Sequence, residues 1–468
     1  LARILTWQTK QLTASVASSS EESDSAVVQQ TALDITKSYE QTRGLEVQLR
    51  DVRRKINAQH PHQSEPQAGE PVGVERAAEF LDGNEVALTF VCGTEASYLL
   101  LVDPRAEGQP LTIHRLPSSG EIAHLVATLM DMAPRRDAAT GLSLPGDIVV
   151  RDSKLLRPHV ANGTAAELYD MLLAPVAEQT RGRDLLIVPS GPLCDLAFAA
   201  LRERTEDDNR RYLIEGHRIR YAASLTVAHS IRAARPDRVE PKNLFWAVAD
   251  PDYQRSSLPR LEHSGVEAEK IRAILGAPQD SVRTRAQATE TAVRRASAKG
   301  ELAKCRYIHF AVHGVASHGF GRSPGVLLTM PDPQLRQSAT GLAQEDQWID
   351  DGTLDLEEIA TLRLNADLVV LSACRSVEGR FRKGEGITGL ARAFVLAGSR
   401  GVVCSLWSID DRRTSGLMQA LYAGLQQRQQ PADALRNAQL QMIQSGEPPF
   451  YWAPFIYIGG QAQRSRRP

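Results

Sequence analysis

Two residues of complementary chemistry stand at matching places in this chain. His313 lies near the end of Arg306–Gly314 (RYIHFAVHG), and Cys374 ends Asp367–Cys374 (DLVVLSAC). A thiol attacks a carbonyl as its thiolate, and a neighbouring imidazole that takes or shares the proton activates it. Gly314 would let its own N–H approach a developing oxyanion with no side chain in the way, and the N–H of Cys374 would be the second donor. No acidic third member stands at either run, so the pair would act as a dyad. The plainer alternative is a core histidine beside a buried free thiol. That plainer role is the one given to His309, inside the first run, and to His318, in the loop beyond it.

The elements that must position the pair follow from the same runs. Both are short, apolar and rich in β-branched and aromatic residues, which reads as buried strands of a mostly parallel sheet. Open α/β sheets gather their chemistry at the carboxyl ends of strands, and parallel strands joined by a crossover end near each other. Before them, Leu244–Val248 is a strand running into Ala249-Asp250-Pro251-Asp252. Helices are expected over Val266–Leu275 and Thr289–Lys299, the second with Thr289 as cap and Glu290 in its first turn. Gly319–Asp351 is long and polar, with Val326–Met330 as its strand-like piece, as a functional lid would be. After a helix at Leu356–Thr361 and the cysteine run come a helix at Ile387–Ala397 and a strand at Gly401–Leu406 leading to Asp410. Helices at Ser415–Gln427 and Ala432–Ser445 precede a last strand, Phe455–Gly459, with Trp452, Tyr451 and Phe455 closing the core. The order is that of a doubly wound α/β sheet.

Upstream, Val86–Cys92 and Ala96–Val102 read as a hairpin, followed by helices around Ile122–Met132 and Ala165–Val176. Leu185–Val188 then runs through Pro189-Ser-Gly-Pro192 into Leu196–Leu201 as a strand–turn–helix unit. Cys194, just past that turn, reads as an inert packed thiol. Residues 1–58 carry apolar positions three and four apart, as a helical packing arm would, and 59–73 are a Pro- and Gly-rich linker in which His60 and His62 are solvated. The expected division is therefore 1–58, 59–73, 74–240 and 241–468.

A chain of 468 residues exceeds one ordinary core. With 42% apolar residues, 24% charged residues and a formal net charge of −1, it reads as globular and argues against binding polyanions such as nucleic acid by bulk charge. No apolar run is long enough to span a bilayer. The five cysteines, odd in number and scattered, fit neither a disulfide framework nor a zinc spacing and suit the reducing cytoplasm. The chain begins at Leu1 rather than Met, so an upstream portion carrying a targeting signal is allowed for.

These stretches together resemble the CHAT family of caspase-like cysteine peptidases, often found behind tetratricopeptide arrays. The similarity is carried by HFAVHG (309–314), VVLSAC (369–374), GEGITGLARAFVLAG (384–398), SLWSIDD (405–411) and YWAPFIYIG (451–459). Upstream, LLIVPSGPL (185–193), YLIEGHRIRYAAS (212–224) and ADPDY (249–253) also fit, so the likeness runs over about residues 75–460. The resemblance implies a caspase-like sheet at 241–468 behind a degenerate, pseudo-peptidase half at 74–240, with the helical start as the tail of a repeat region. It implies His313 and Cys374 as the catalytic dyad of an endopeptidase acting on a protein substrate. A regulatory protein partner would move a loop, and no metal or organic cofactor is needed. The residues after the family's cysteine are usually Glu and Thr, whereas here they are Arg375-Ser376. A cation beside Cys374 would favour thiolate and alter substrate contacts. The other implied role is a catalytically silent interaction scaffold.

Gly384-Glu-Gly386-Ile-Thr-Gly389 imitates a dinucleotide fingerprint, but the charged Arg375–Lys383 separates it from its strand. Its glycines are better read as letting a helix pack closely. Asp250 and Asp410, at strand-ends flanking the nucleophile, would favour a substrate Lys or Arg if their carboxylates point inward unpaired. The alternative is that they cap turns and helices.

Overall fold

The computed structural model describes residues 73–460 apart from 82, 107, 132–148, 152–153, 157, 206–208, 234–240, 242, 254–257, 259, 316–323, 331–349, 373–374, 378–385 and 408–410. The fold below belongs to the unit Pro66–Pro468. The N-terminal helical reading, the linker with His60 and His62, and His318 lie outside the described residues.

The first strands are β1 (Glu85–Val91), β2 (Ser97–Val102) and β3 (Leu111–Leu116), an antiparallel meander. Short ribbons β4 (Val149–Arg151)/β5 (Lys154–Leu156) and β7 (Arg202–Arg204)/β8 (Arg210–Tyr212) flank β6 (Asp184–Val188). Next come β9 (Ile219–Tyr221), β10 (Asn243–Pro251), β11 (Val282–Arg285) and β12 (Cys305–Ala311). Three-residue strands β13 (His313–Val315), β14 (Gly325–Leu327) and β15 (Thr353–Asp355) follow. The last are β16 (Leu368–Leu371), β17 (Arg375–Val377), β18 (Gly401–Ser405) and β19 (Phe455–Gly459).

Eleven strands form one sheet in the order β11-β10-β12-β16-β18-β19-β9-β6-β1-β2-β3. From β11 to β18 every pair is parallel. Side chains alternate between faces along a strand, and both faces are covered here. Tyr307 and His309 meet Tyr422 of the Asp411–Gln426 helix, while Phe310 meets Phe394 of the Gly386–Ala397 helix. This is why β12 and β16 read as continuous apolar runs rather than alternating ones. In the upstream half, Val86, Leu88 and Phe90 enter the main core. Ala87 faces a smaller cluster with Phe80 and Ala228, from the Val74–Phe80 and Leu225–Ala233 helices.

The halves share the sheet through β19, antiparallel to β18 and parallel to β9, where Ile458 partners Tyr221. Arg220 secures this seam. Its Nη2 donates to Glu85 Oε2 at 2.6 Å and its Nη1 to the Gly459 carbonyl at 3.0 Å, all buried. A charge so enclosed is tolerated only when its donors are matched.

Leu196–Leu201 is not the expected helix. It lies among two 3₁₀ turns, Gly191–Asp195 and Phe198–Ala200, with Leu196, at ψ 122°, and Ala197, at ψ 87°, out of helical geometry between them. Gly389 of the Gly386–Ala397 helix sits beside Leu356 of the Leu356–Thr361 helix, but an added Cβ would make only ordinary contact there, 3.7 Å from Cδ1, so the approach of the two helices does not require a glycine at this position. Tyr451, Trp452 and Phe455 are all buried. No helix among the described residues is long and apolar enough to cross a membrane.

Candidate active site

The two apolar runs are neighbours: β12 and β16 pair in parallel from Tyr307↔Leu368 to Phe310↔Leu371, and the Ser372 N–H extends the ladder to the Phe310 carbonyl at 2.9 Å. The histidine run differs from expectation at its end. The main-sheet strand stops at Ala311, and His313 opens a separate strand, β13, in a second sheet ordered β15-β14-β13-β17. The break after Ala311 lets the chain leave the main sheet, and β13 finds two new partners in β14 and β17. Gly314 is the register partner of Val326 in antiparallel β14 and of Arg375 in parallel β17.

Cys374 and Ala373 lie outside the described residues, as does Asp410. The residues on either side of the cysteine are nevertheless tied to those around the histidine. Ser372 bonds Phe310, two residues before Val312, and Arg375 pairs with Gly314, the residue after His313.

His313 itself is 2% exposed. Its backbone N–H donates to the Tyr253 hydroxyl at 3.0 Å, and the two rings lie 4.8 Å apart with planes inclined at 41°. The same hydroxyl donates at 2.9 Å to the carbonyl of Leu327, the residue opposite His313 in β14. Burial pushes the Tyr253 phenol up, so it stays protonated and keeps its donor. The Tyr253 segment is stitched down as well: the Asp252 N–H donates to Thr329 Oγ1 at 2.8 Å, and Thr329 Oγ1 donates to the Arg285 carbonyl at 2.7 Å. Sequence reasoning gave Tyr253 no role. The available signal was an aromatic residue two positions beyond a strand end in an otherwise polar loop.

Asp250 does not offer an unpaired carboxylate. It is buried at a bulge of β10 with φ 42°, its N–H donating to Ser264 Oγ at 2.9 Å. Arg260 Nη2 reaches its carboxylate at 2.8 Å and Arg285 Nη1 at 3.4 Å. The side chain lies between two guanidinium groups at the end of the strand. Cys194 packs as an inert thiol would, with burial pushing it up to about 11.

A CHAT domain model matches residues 162–460, more than half of the chain. The chain belongs to the CHAT family. The expected α/β sheet, mostly parallel and covered on both faces, is the fold of this CHAT domain. Among curated relatives, mouse tetratricopeptide repeat protein 28 is 25% identical over 372 residues, covering 71% of this chain and 14% of its own length. The human protein of the same name is 24% identical over 336 residues, covering 63% and 13%. The chain thus spans less than a fifth of the relatives it matches. Among solved structures, separase in its complex with securin from Saccharomyces cerevisiae is similar with a TM-score of 0.46 and 12% identity, over 82% of this chain and 31% of that one. The Arg-specific cysteine proteinase gingipain R is similar with a TM-score of 0.35 and 10% identity, over 73% and 74%.

Proposed function

We propose that this CHAT domain is a cysteine endopeptidase that cleaves a protein substrate through Cys374 and His313. The observation that supports it is register: Ser372 and Arg375, flanking the cysteine, pair with Phe310 and Gly314, flanking the histidine. The Cys374 thiolate attacks the peptide carbonyl carbon, forming a C–S bond as an electron pair moves to oxygen. Backbone N–H groups of Gly314 and Cys374 receive that oxyanion. As the C–N bond breaks, the His313 imidazolium gives its proton to the leaving amine. Water, losing a proton to the imidazole, then attacks the thioester and frees the acid and the thiolate.

In this reading residues 74–240 are a degenerate half that supports the sheet, and 241–468 carry the chemistry. Arg375 and Asp410 contact the substrate, while Asp250, already paired, does not select its charge. Control falls to a protein partner, the 1–58 region and the 315–351 loop, and the setting is cytoplasmic.

The enclosure of His313 favours a second reading, a silent interaction scaffold. Labelling with a peptide electrophile ending in Lys or Arg separates the two. Loss of labelling in both Cys374→Ala and His313→Ala supports the protease. Labelling only by an electrophile with an apolar end keeps the protease and removes the basic preference. A folded protein whose Cys374 no probe labels, with or without candidate partners, overturns the protease in favour of the scaffold.

A further inference from the structure

We infer that Tyr253 is a positioning residue for His313, an inference that rests on the proposed Cys–His chemistry. Three contacts converge. The Tyr253 hydroxyl accepts the His313 backbone N–H at 3.0 Å and donates to the Leu327 carbonyl at 2.9 Å. Leu327 is the cross-strand partner of His313, so one oxygen ties together both members of that pair. The phenol ring packs against the imidazole, with ring centroids 4.8 Å apart and planes inclined at 41°. Tyr253 is itself 6% exposed, and its loop is pinned by the Asp252–Thr329 bond, so the contact is made by a held side chain rather than a mobile one.

These contacts have separable consequences. The hydroxyl fixes the backbone from which the imidazole projects at the point where the chain has just left the main sheet. The ring limits the rotation of the imidazole, and an aromatic face beside it favours the imidazolium. In a Cys–His pair the imidazolium is the partner of the thiolate, so the ring supports the reactive ion pair as well as its direction. The backbone N–H of His313 is spent on Tyr253, which leaves the oxyanion to other donors.

The test uses the full chain in four forms: wild type, Tyr253→Phe, Tyr253→Leu and His313→Ala. Two readouts are followed. The first is the pH profile of Cys374 alkylation by iodoacetamide, read by peptide mass mapping. The second is the titration of the His313 ring resonance in protein labelled at histidine Cε1, assigned by its loss in His313→Ala. Tyr253→Leu is expected to slow alkylation near neutral pH by about tenfold and to move the His313 titration to lower pH. Tyr253→Phe keeps the ring, and is expected to slow alkylation while leaving the His313 titration near that of wild type. Wild-type behaviour in both Tyr253 variants overturns the inference while the dyad stands. An alkylation profile unchanged in His313→Ala overturns the dyad and the catalytic part of the inference with it. In that case a titration shift in Tyr253→Leu still upholds the contact. Should the leucine variant fail to fold, the isosteric phenylalanine variant decides through its alkylation rate.

Discussion

Glu267 Oε1 lies 3.1 Å from His309 Nε2 on the face of the sheet covered by the Asp411–Gln426 helix, and His309 Nδ1 lies 3.2 Å from the Tyr422 hydroxyl. Glu267 and His309 are 1% and 0% exposed. This histidine sits four residues from His313, a spacing that would put both on one face of an unbroken strand, and the break after Ala311 is what leaves it with a purely internal partner set.

That pair makes a stability prediction. His309→Leu strands a buried carboxylate and should cost about 3–5 kcal/mol. The double variant His309→Leu/Glu267→Leu, which removes both polar groups, should recover much of that loss. Urea denaturation across the four-member cycle measures the coupling, and strict additivity would show that the two side chains do not act as a pair.

Glu290 gives a pH prediction. Its side chain is enclosed at the start of the Glu290–Ala298 helix, and burial, with Glu358 and Asp350 nearby, pushes its carboxyl from 4.5 up to about 8 despite the bond from Arg294. Between those values the folded chain holds a proton that the unfolded chain has released. Its contribution is therefore fully present below about 4.5 and is lost as pH rises towards about 8. Glu290→Gln should remove this slope. The difference between urea midpoints of variant and wild type should grow in the variant's favour from pH 5 to pH 9.

Two buried thiols predict part of the background of any labelling experiment. Burial pushes Cys305 up to about 11 and Cys404 up to about 12, and the thiolate is the reactive form. In the native protein at neutral pH, peptide mapping should find both unmodified by iodoacetamide over the time that an activated Cys374 reacts. Prompt modification of Cys404 would mean that the sheet opens around β18.

Asp250→Asn separates structure from recognition. It leaves Arg260 and Arg285 without their shared anion, so the urea midpoint should fall. The preference between electrophiles with basic and apolar ends should stay unchanged. A changed preference with an unchanged midpoint would return Asp250 to the substrate pocket.

Much of this fold is legible in the sequence. Phe455–Gly459 and Leu356–Thr361 have the expected bounds, and the Thr289 cap is present, its Oγ1 accepting the Ala292 N–H at 3.1 Å. These segments declare themselves through local apolar spacing and capping chemistry. Less legible were strands whose existence depends on a distant partner. Ile219–Tyr221 is three residues long and carries Arg220, whose meaning appears only with Glu85 beside it. β13 likewise forms only against β14 and β17, which come from later in the chain, and Tyr253 gains its role from a fold that returns β14 beside it. The ends of the histidine and cysteine runs were visible as chemistry, but the departure of His313 into a second sheet was not.

The place of β19 in the sheet bears on how the molecule is made. This strand leaves the ribosome after all the others described, yet it stands between β18 and β9, with Arg220 bonded to its Gly459 carbonyl. Until Phe455–Gly459 emerges, the two halves present facing, unsatisfied edges. Synthesis therefore holds the seam open until this strand appears, and a nascent chain stalled before β19 would offer those edges to whatever strand or chaperone it meets first.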